Sequence, residues 1–123
     1  MENCPFCKIV ARRLPADIVY ENERLMVFKD INPAAPVHLL IVPKLHIPTL
    51  SDCHGGHAAI LGEMMAIVPK IADQQKIGVV GSTAETRRGG YRIIINAGPD
   101  GKQEVYHLHI HLIGGPRPWR DNK

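Results

Sequence analysis

Residues 107–113 of the chain read His107-Leu108-His109-Ile110-His111-Leu112-Ile113. Side chains of a β-strand alternate faces with a period of two. This order therefore sends Leu108, Ile110 and Leu112 into a core and lines up His107, His109 and His111 on the opposite face, neighbours ~6–7 Å apart. Such a strand belongs in a sheet with one packed face and a second face on which histidine has a use. Seven histidines outnumber the two Phe, three Tyr and one Trp together, so the bias is a property of the chain. Three uses are open. The imidazoles could decorate a solvated sheet face. Two of them at i and i+2 could share a metal ion, although the outer two, ~13 Å apart along the strand, could not. The third use is covalent catalysis. A neutral imidazole, with an ordinary pKa of ~6.5, is a competent nucleophile at pH 7 and can attack phosphorus while its neighbours supply protons and positive charge.

The frame around this strand follows from local pattern. Phe6 to Arg13 predicts a short amphipathic helix stopped by Leu14-Pro15. Ile18-Val19-Tyr20 and Leu25 to Phe28 predict two short strands around a polar turn. Val37 to Val42 is a continuous apolar run, as expected of a strand buried on both faces, and Pro43 ends it. His38 lies on that run, where a histidine is either a satisfied core residue or part of a polar site. His57 to Gln74 predicts the one long helix, with Ile60, Met64, Ile67, Val68 and Ile71 on one face and Pro69 removing one backbone hydrogen bond inside it. Residues 78–90, with four glycines, predict a loop. Tyr91 to Asn96 and Val105 to Ile113 predict the last two strands, joined by the turn Ala97 to Gly101, whose backbone N–H groups beside Asn96 could face an anion. Short connections favour antiparallel pairing, so the class is α+β.

The 123 residues suffice for one compact domain, 1–123. A net charge of +3, scattered along the chain, is too weak for a nucleic-acid footprint. No apolar run reaches the ~20 residues of a membrane span, and the N-terminus lacks a signal-peptide pattern, so a soluble cytoplasmic protein is expected. Cys4 and Cys7 form a C-x-x-C pair, which suggests half of a metal site or a redox motif; Cys53 reads as incidental.

The chain resembles the histidine triad (HIT) family, whose signature His-φ-His-φ-His-φ-φ, with φ apolar, residues 107–113 match at every position. The resemblance takes in Phe28 to Pro33, Pro36 to Ile47, the Asn96 turn, Gly114-Gly115 and Trp119 in a tail over 113–123. It is greatest to the Hint branch, the histidine triad nucleotide-binding proteins, which are homodimeric purine nucleoside phosphoramidases. The resemblance implies an antiparallel five-stranded sheet with one long and one short helix, and a dimer in which two sheets become continuous. It implies hydrolysis of nucleoside 5′-phosphoramidates to the nucleoside monophosphate. His109 would be the nucleophile, oriented by the backbone carbonyl of His107, with His111 on the phosphate and leaving amine and His38 in support. Asp30 would hold the ribose; Ile31, Phe28, Phe6 and Ile9 would wall the base; Asn96 would bond the phosphate; Gln103 and Val105 match the segment before the triad. The alternatives are a dinucleoside polyphosphate hydrolase and a nucleotide-binding regulatory module with weak turnover.

Some bacterial members with a similar C-x-x-C hold a structural zinc, and the matching residues here are Cys4, Cys7, His46 and His107. Catalysis itself would need no cofactor. In two places the chain departs from the family. Glu104 stands where a phosphate-binding hydroxyl is usual, so it must turn outward or pair with a cation such as Lys102. The tail Pro116-Arg117-Pro118-Trp119 differs from the usual continuation, which leaves open whether Trp119 reaches a partner's site. His54 and His57 have no assigned role and are expected to be exposed.

Overall fold

A computed structural model of the chain describes residues 3–120; the last three residues of the expected tail lie outside the described residues. The elements in chain order are helix α1 (Pro5–Val10), strands β1 (Ile18–Glu21), β2 (Leu25–Lys29) and β3 (Val37–Pro43), two short 3-10 turns, helix α2 (Ala58–Gln74), and strands β4 (Tyr91–Ile94) and β5 (Ile110–Gly114). The five strands form one antiparallel sheet in the order β1-β2-β3-β5-β4. One long and one short helix on a five-stranded antiparallel sheet is the expected architecture.

Strand register divides the sheet into two faces with different contents. Val27 pairs with Ile41, Leu39 with Leu112 and Ile41 with Ile110. These residues, with Leu25 and Leu108, pack against Ile60, Met64, Val68, Ile71 and Ala72 of α2. Each Val, Leu, Ile or Met among them contributes about 1.5–3 kcal/mol on burial. One residue along each strand the register reverses faces. There Met26, Phe28, Leu40 and Val42 meet Cys4, Phe6 and Ile9 of the α1 segment. His111 pairs with Leu40, which puts the histidine face of β5 on the α1 side of the sheet. Pro69 sits inside an otherwise continuous α2, on its exposed side, where water can reach the carbonyl that the missing N–H would have bonded.

Strand β4 ends at Ile94, two residues before the expected Asn96, and two boundaries differ from the sequence expectation by three residues or more. Helix α1 stops at Val10, not Arg13, because Arg12 adopts φ 63° and closes the helix: Arg12 N–H donates to the Ile9 carbonyl and Arg13 N–H to the Lys8 carbonyl. The final strand begins at Ile110, not Val105. Pro43 has no N–H to offer the ladder, and residues 105–109 leave β3, with Leu108 N–H donating to the Ile47 carbonyl at 2.7 Å. At the end of β5, Gly114 lies where a Cβ would come within 2.5 Å of Ile77 Cδ1, and Gly115 after it turns at φ 101°. Those two demands account for the Gly-Gly pair that follows the histidines.

Candidate functional site

The three histidines of the 107–111 segment are buried, so the solvated-face reading is excluded. Their hydrogen bonds fix which ring nitrogen carries each proton. A carbonyl only accepts, so His109 Nδ1 donates to the His107 carbonyl at 2.7 Å, and in the neutral ring the lone pair resides on Nε2. His38, also buried, accepts the Ala34 N–H on Nδ1 at 2.9 Å and therefore carries its proton on Nε2. That Nε2 lies 2.9 Å from His111 Nδ1 and 3.2 Å from Asp30 Oδ2. His111 Nδ1 is thus the acceptor, and the His111 proton is on Nε2. The rings of His109 and His111 stand 4.9 Å apart between centroids. One presents a lone pair and the other a donor, the two functions needed to attack a centre and protonate its leaving group.

Both histidines line a cavity of about 550 Å³ on the α1 side of the sheet, within the size range of small-molecule sites. Phe6, Ile9, Leu14, Phe28, Leu40 and Val105 make its walls chiefly apolar, and Asp30, Asn32, Asn96, Lys102 and Glu104 add polar groups. Phe6 sets its ring edge-on to His109 at 5.1 Å and to Phe28 at 5.3 Å. Ile31 stands on the rim at 99% exposure.

The structure brings His109, His111, Asp30, Ile31, Phe28, Phe6, Ile9, Asn96 and Val105 to this cavity, with His38 behind His111. Gln103 is not brought to it. Its amide is buried and braces the backbone, donating to the Pro48 and Val105 carbonyls and accepting the Gly98 N–H. Asn96 donates to the Gly101 carbonyl at 2.7 Å. Glu104 is exposed at the cavity edge and makes no ion pair with Lys102 among the described residues. The Asp30–His38 contact was not anticipated; an acid eight residues before a strand histidine carries no local signal. His54 is exposed but His57 is half-buried, and both have a local use: His54 Nδ1 accepts the Gly56 N–H and His57 Nδ1 accepts the His54 N–H. Trp119 folds back on its own chain, donating to the Gly115 carbonyl at 2.9 Å with Arg117 stacked on its ring.

A second cluster lies at the other end of the histidine segment. His107 donates through Nε2 to the Pro43 carbonyl at 2.7 Å, which turns the Nδ1 lone pair toward Cys4 Sγ (3.4 Å), Cys7 Sγ (3.5 Å) and His46 Nδ1 (3.2 Å). Cys7 Sγ is 3.1 Å from His46 Nδ1. Zinc bonds of about 2.0 Å to nitrogen and 2.3 Å to sulfur imply tetrahedral edges of about 3.3 Å between nitrogens and about 3.5 Å between nitrogen and sulfur. The distances from His107 Nδ1 to both thiols and to His46 match those edges, the Cys7–His46 distance is about 0.4 Å shorter, and all four donor atoms lie within 4.8 Å of one another, so two soft thiols and two imidazoles make a set that fits zinc. The Asp30, His38 and His111 group is equally compact, but its contacts form an ordered donor–acceptor chain that an ion would break.

Burial drives the His107 pKa down to about 4 and pushes the Cys7 thiol up to about 11, the latter assisted by its hydrogen bond to Cys4. His107 is therefore neutral and ready to ligate at pH 7, while metal binding at Cys7 must expel a proton. In the metal-free chain, the unfolded state accepts a proton at residue 107 below about 6.5, and the folded one refuses it until about 4. Stability should then fall as pH drops through that window, by at most roughly 3 kcal/mol for this group. Urea midpoints at pH 7 and pH 4.5 measure it. A drop just as large in His107→Phe would refute the assignment.

Comparison with known proteins gives a consistent picture. The family model described as "Scavenger mRNA decapping enzyme C-term binding" matches residues 3–122. The chain is 47% identical over 116 residues to protein HitA of Neisseria gonorrhoeae, covering 94% of this chain and 99% of that one. It is 43% identical over 114 residues to the purine nucleoside phosphoramidase of Escherichia coli K12, covering 93% and 88%, and 39% identical over 112 residues to the 14 kDa zinc-binding protein of Zea mays, covering 89% and 80%. Among solved structures, a HIT family hydrolase from Clostridium thermocellum superposes with a TM-score of 0.82 at 46% identity, covering 94% and 93%.

Proposed function

Because the chain belongs to the histidine triad family of hydrolases, we propose that it cleaves nucleoside 5′-phosphoramidates, purine nucleosides preferred, through a covalent nucleotidyl–His109 intermediate. The observation that carries this reading is the pair of opposite tautomers on one cavity wall: a lone pair on His109 Nε2 and a proton on His111 Nε2. In the first step His109 Nε2 attacks the α-phosphorus. The P–N bond breaks as the His111 Nε2–H passes its proton to the leaving nitrogen while a solvent proton takes its place on Nε2, so that His111 stays neutral and a free amine departs. A protonated amine leaves readily, so much of the catalysis is proton placement. In the second step water attacks the nucleotidyl–His109 phosphorus, one water proton leaves to solvent by way of His111, and the nucleoside monophosphate is released with His109 restored.

The remaining residues serve binding. Phe6, Ile9, Phe28 and Ile31 receive the base and Asp30 the ribose hydroxyls, while Asn96 and the backbone of 104–105 lie on the phosphate side. Glu104, exposed at the edge, need not face the anion. Cys4, Cys7, His46 and His107 hold a structural zinc, a closed four-ligand set that supplies rigidity and no open position for substrate. The maize relative's name supports the metal, and the Escherichia coli relative's name the substrate class. β4 ends the sheet with Ile93 and Ile94 half-buried, which supports a homodimer joined edge to edge there. No helix among the described residues is long and apolar enough to cross a membrane.

The test is direct. Adenosine 5′-phosphoramidate incubated with the purified protein should yield AMP and ammonia in equal amounts, faster than diadenosine polyphosphates are cleaved. Absence of AMP, or a clear preference for the dinucleotide, would overturn the substrate assignment.

A further inference from the structure

Helix α1 is six residues long, far below the length at which a helix holds itself together in water. Its N-cap is Cys4 and its third residue is Cys7, so both ends of its first turn belong to the metal cluster. Its buried side chains, Phe6 and Ile9, are the ones that wall the cavity. The nucleophile is tied to the same cluster by a second route. His107 makes three contacts at once: Nδ1 enters the cluster, Nε2–H bonds the Pro43 carbonyl, and its own carbonyl accepts the His109 Nδ1–H. Residues 105–109 lie outside the strand ladder, so regular sheet bonds do not set the direction of that carbonyl. It is aimed instead by the seat of His107 and by the Leu108 bond to Ile47, the residue after His46.

We propose that the Cys4, Cys7, His46 and His107 cluster is a positioning device for the reaction: by seating α1 and His107 together, it sets the apolar wall that receives the base and the tautomer of the nucleophile His109. A metal site serving only global stability would sit anywhere in the core. This one lies where the base wall and the His109 hydrogen-bond acceptor converge, with Phe6 touching the rings of both His107 (5.9 Å) and His109 (5.1 Å). The proposal rests on the assignment of His109 as nucleophile, and its test is chosen so that the two can fail separately.

The experiment compares zinc-loaded wild type with the Cys4→Ser/Cys7→Ser double variant, and with wild type stripped by a chelator and then reloaded. Three quantities are read: AMP affinity by calorimetry, the His109 tautomer by ¹⁵N NMR, and amide exchange of α1 against β3. In the metal-free samples we expect AMP affinity at least ~10-fold weaker, with kcat falling as KM rises. His109 should change from a single Nδ1–H form to a mixture, and α1 should lose protection while β3 keeps it. Reloading should reverse all of this in wild type and none of it in the variant. AMP affinity within twofold and an unchanged His109 tautomer in metal-free protein would overturn the proposal. Failure of wild type to bind zinc would do so as well. If the double variant does not fold, the stripped wild type decides; loss of β3 protection in both would also overturn it, because the cluster would then hold the fold and not the site. Failure of loaded wild type to bind AMP would count against the functional reading, while α1 protection and the His109 tautomer would still decide this one.

Discussion

His109→Ala should lower turnover of adenosine 5′-phosphoramidate by at least ~10³-fold, the scale expected when a covalent nucleophile is removed. The size of the effect follows from the geometry. His109 combines burial in the cavity wall, a ring held by the 2.7 Å bond to the His107 carbonyl, and a lone pair beside the His111 donor. None of the neighbouring rings is placed to substitute. His107 points its nitrogens at Pro43 and at the Cys4, Cys7 and His46 group, and His38 has its proton committed between His111 and Asp30. AMP affinity should change little, because Phe6, Phe28, Ile31 and Asp30 remain. The informative measurement is single-turnover release of AMP by the variant, with calorimetric AMP binding as the folding control. A variant within tenfold of wild type in turnover would end the covalent mechanism.

His38→Ala should damage both stability and rate. The imidazole is fully enclosed and has a partner on each side. Its removal leaves the buried Ala34 N–H without an acceptor, which costs about 1–3 kcal/mol. A cavity of ring size adds to this, for a total of about 3 kcal/mol or more. The rate effect has another origin. Without the His38 Nε2–H, His111 Nδ1 loses the donor that keeps the His111 proton on Nε2, and the leaving nitrogen loses its proton source. Turnover of the phosphoramidate should fall about 10- to 100-fold. A substrate whose leaving group needs no proton should be spared most of that loss. A urea unfolding midpoint gives the first number, and paired assays with amine and phenolate leaving groups give the second. Equal losses on both substrates would refute the proton-placement role.

Much of this architecture was legible in the sequence because period-two and period-3.6 patterns are written by burial. The alternation at 108–112 marked the packed face of β5, and Ile60, Met64, Val68 and Ile71 marked the face of α2. The parts that escaped are those set by backbone detail or by distant partners. Arg12 closes α1 in a left-handed conformation usually signalled by glycine. The shortening of β5 depends on Pro43, which lies 64 residues from the histidine that bonds its carbonyl. Gln103 matched a family segment, yet its amide is spent on the Pro48 and Val105 carbonyls, contacts that no local pattern encodes. The metal quartet was assembled from the family resemblance, because C-x-x-C alone names two ligands and leaves the other two unspecified. The Asp30–His38 contact depends on the loop between β2 and β3 curling back, with the Asn32 N–H bonded to Asp30 Oδ1.

The composition of the cavity wall carries a consequence for selectivity. Where the base would lie, Phe6, Ile9, Leu14, Phe28 and Ile31 offer flat and branched hydrocarbon; of the two side-chain amides on the cavity lining, Asn32 accepts from Arg120 and Asn96 donates to the Gly101 carbonyl. Such a wall reads the two faces of a heterocycle and is blind to the donors and acceptors along its edge. Discrimination then follows contact area: a bicyclic base gains more than a monocyclic one, whereas adenine and guanine, nearly equal in area, are served almost alike. An enzyme built this way is a generalist toward the nucleoside and leaves its exactness to the bond being broken.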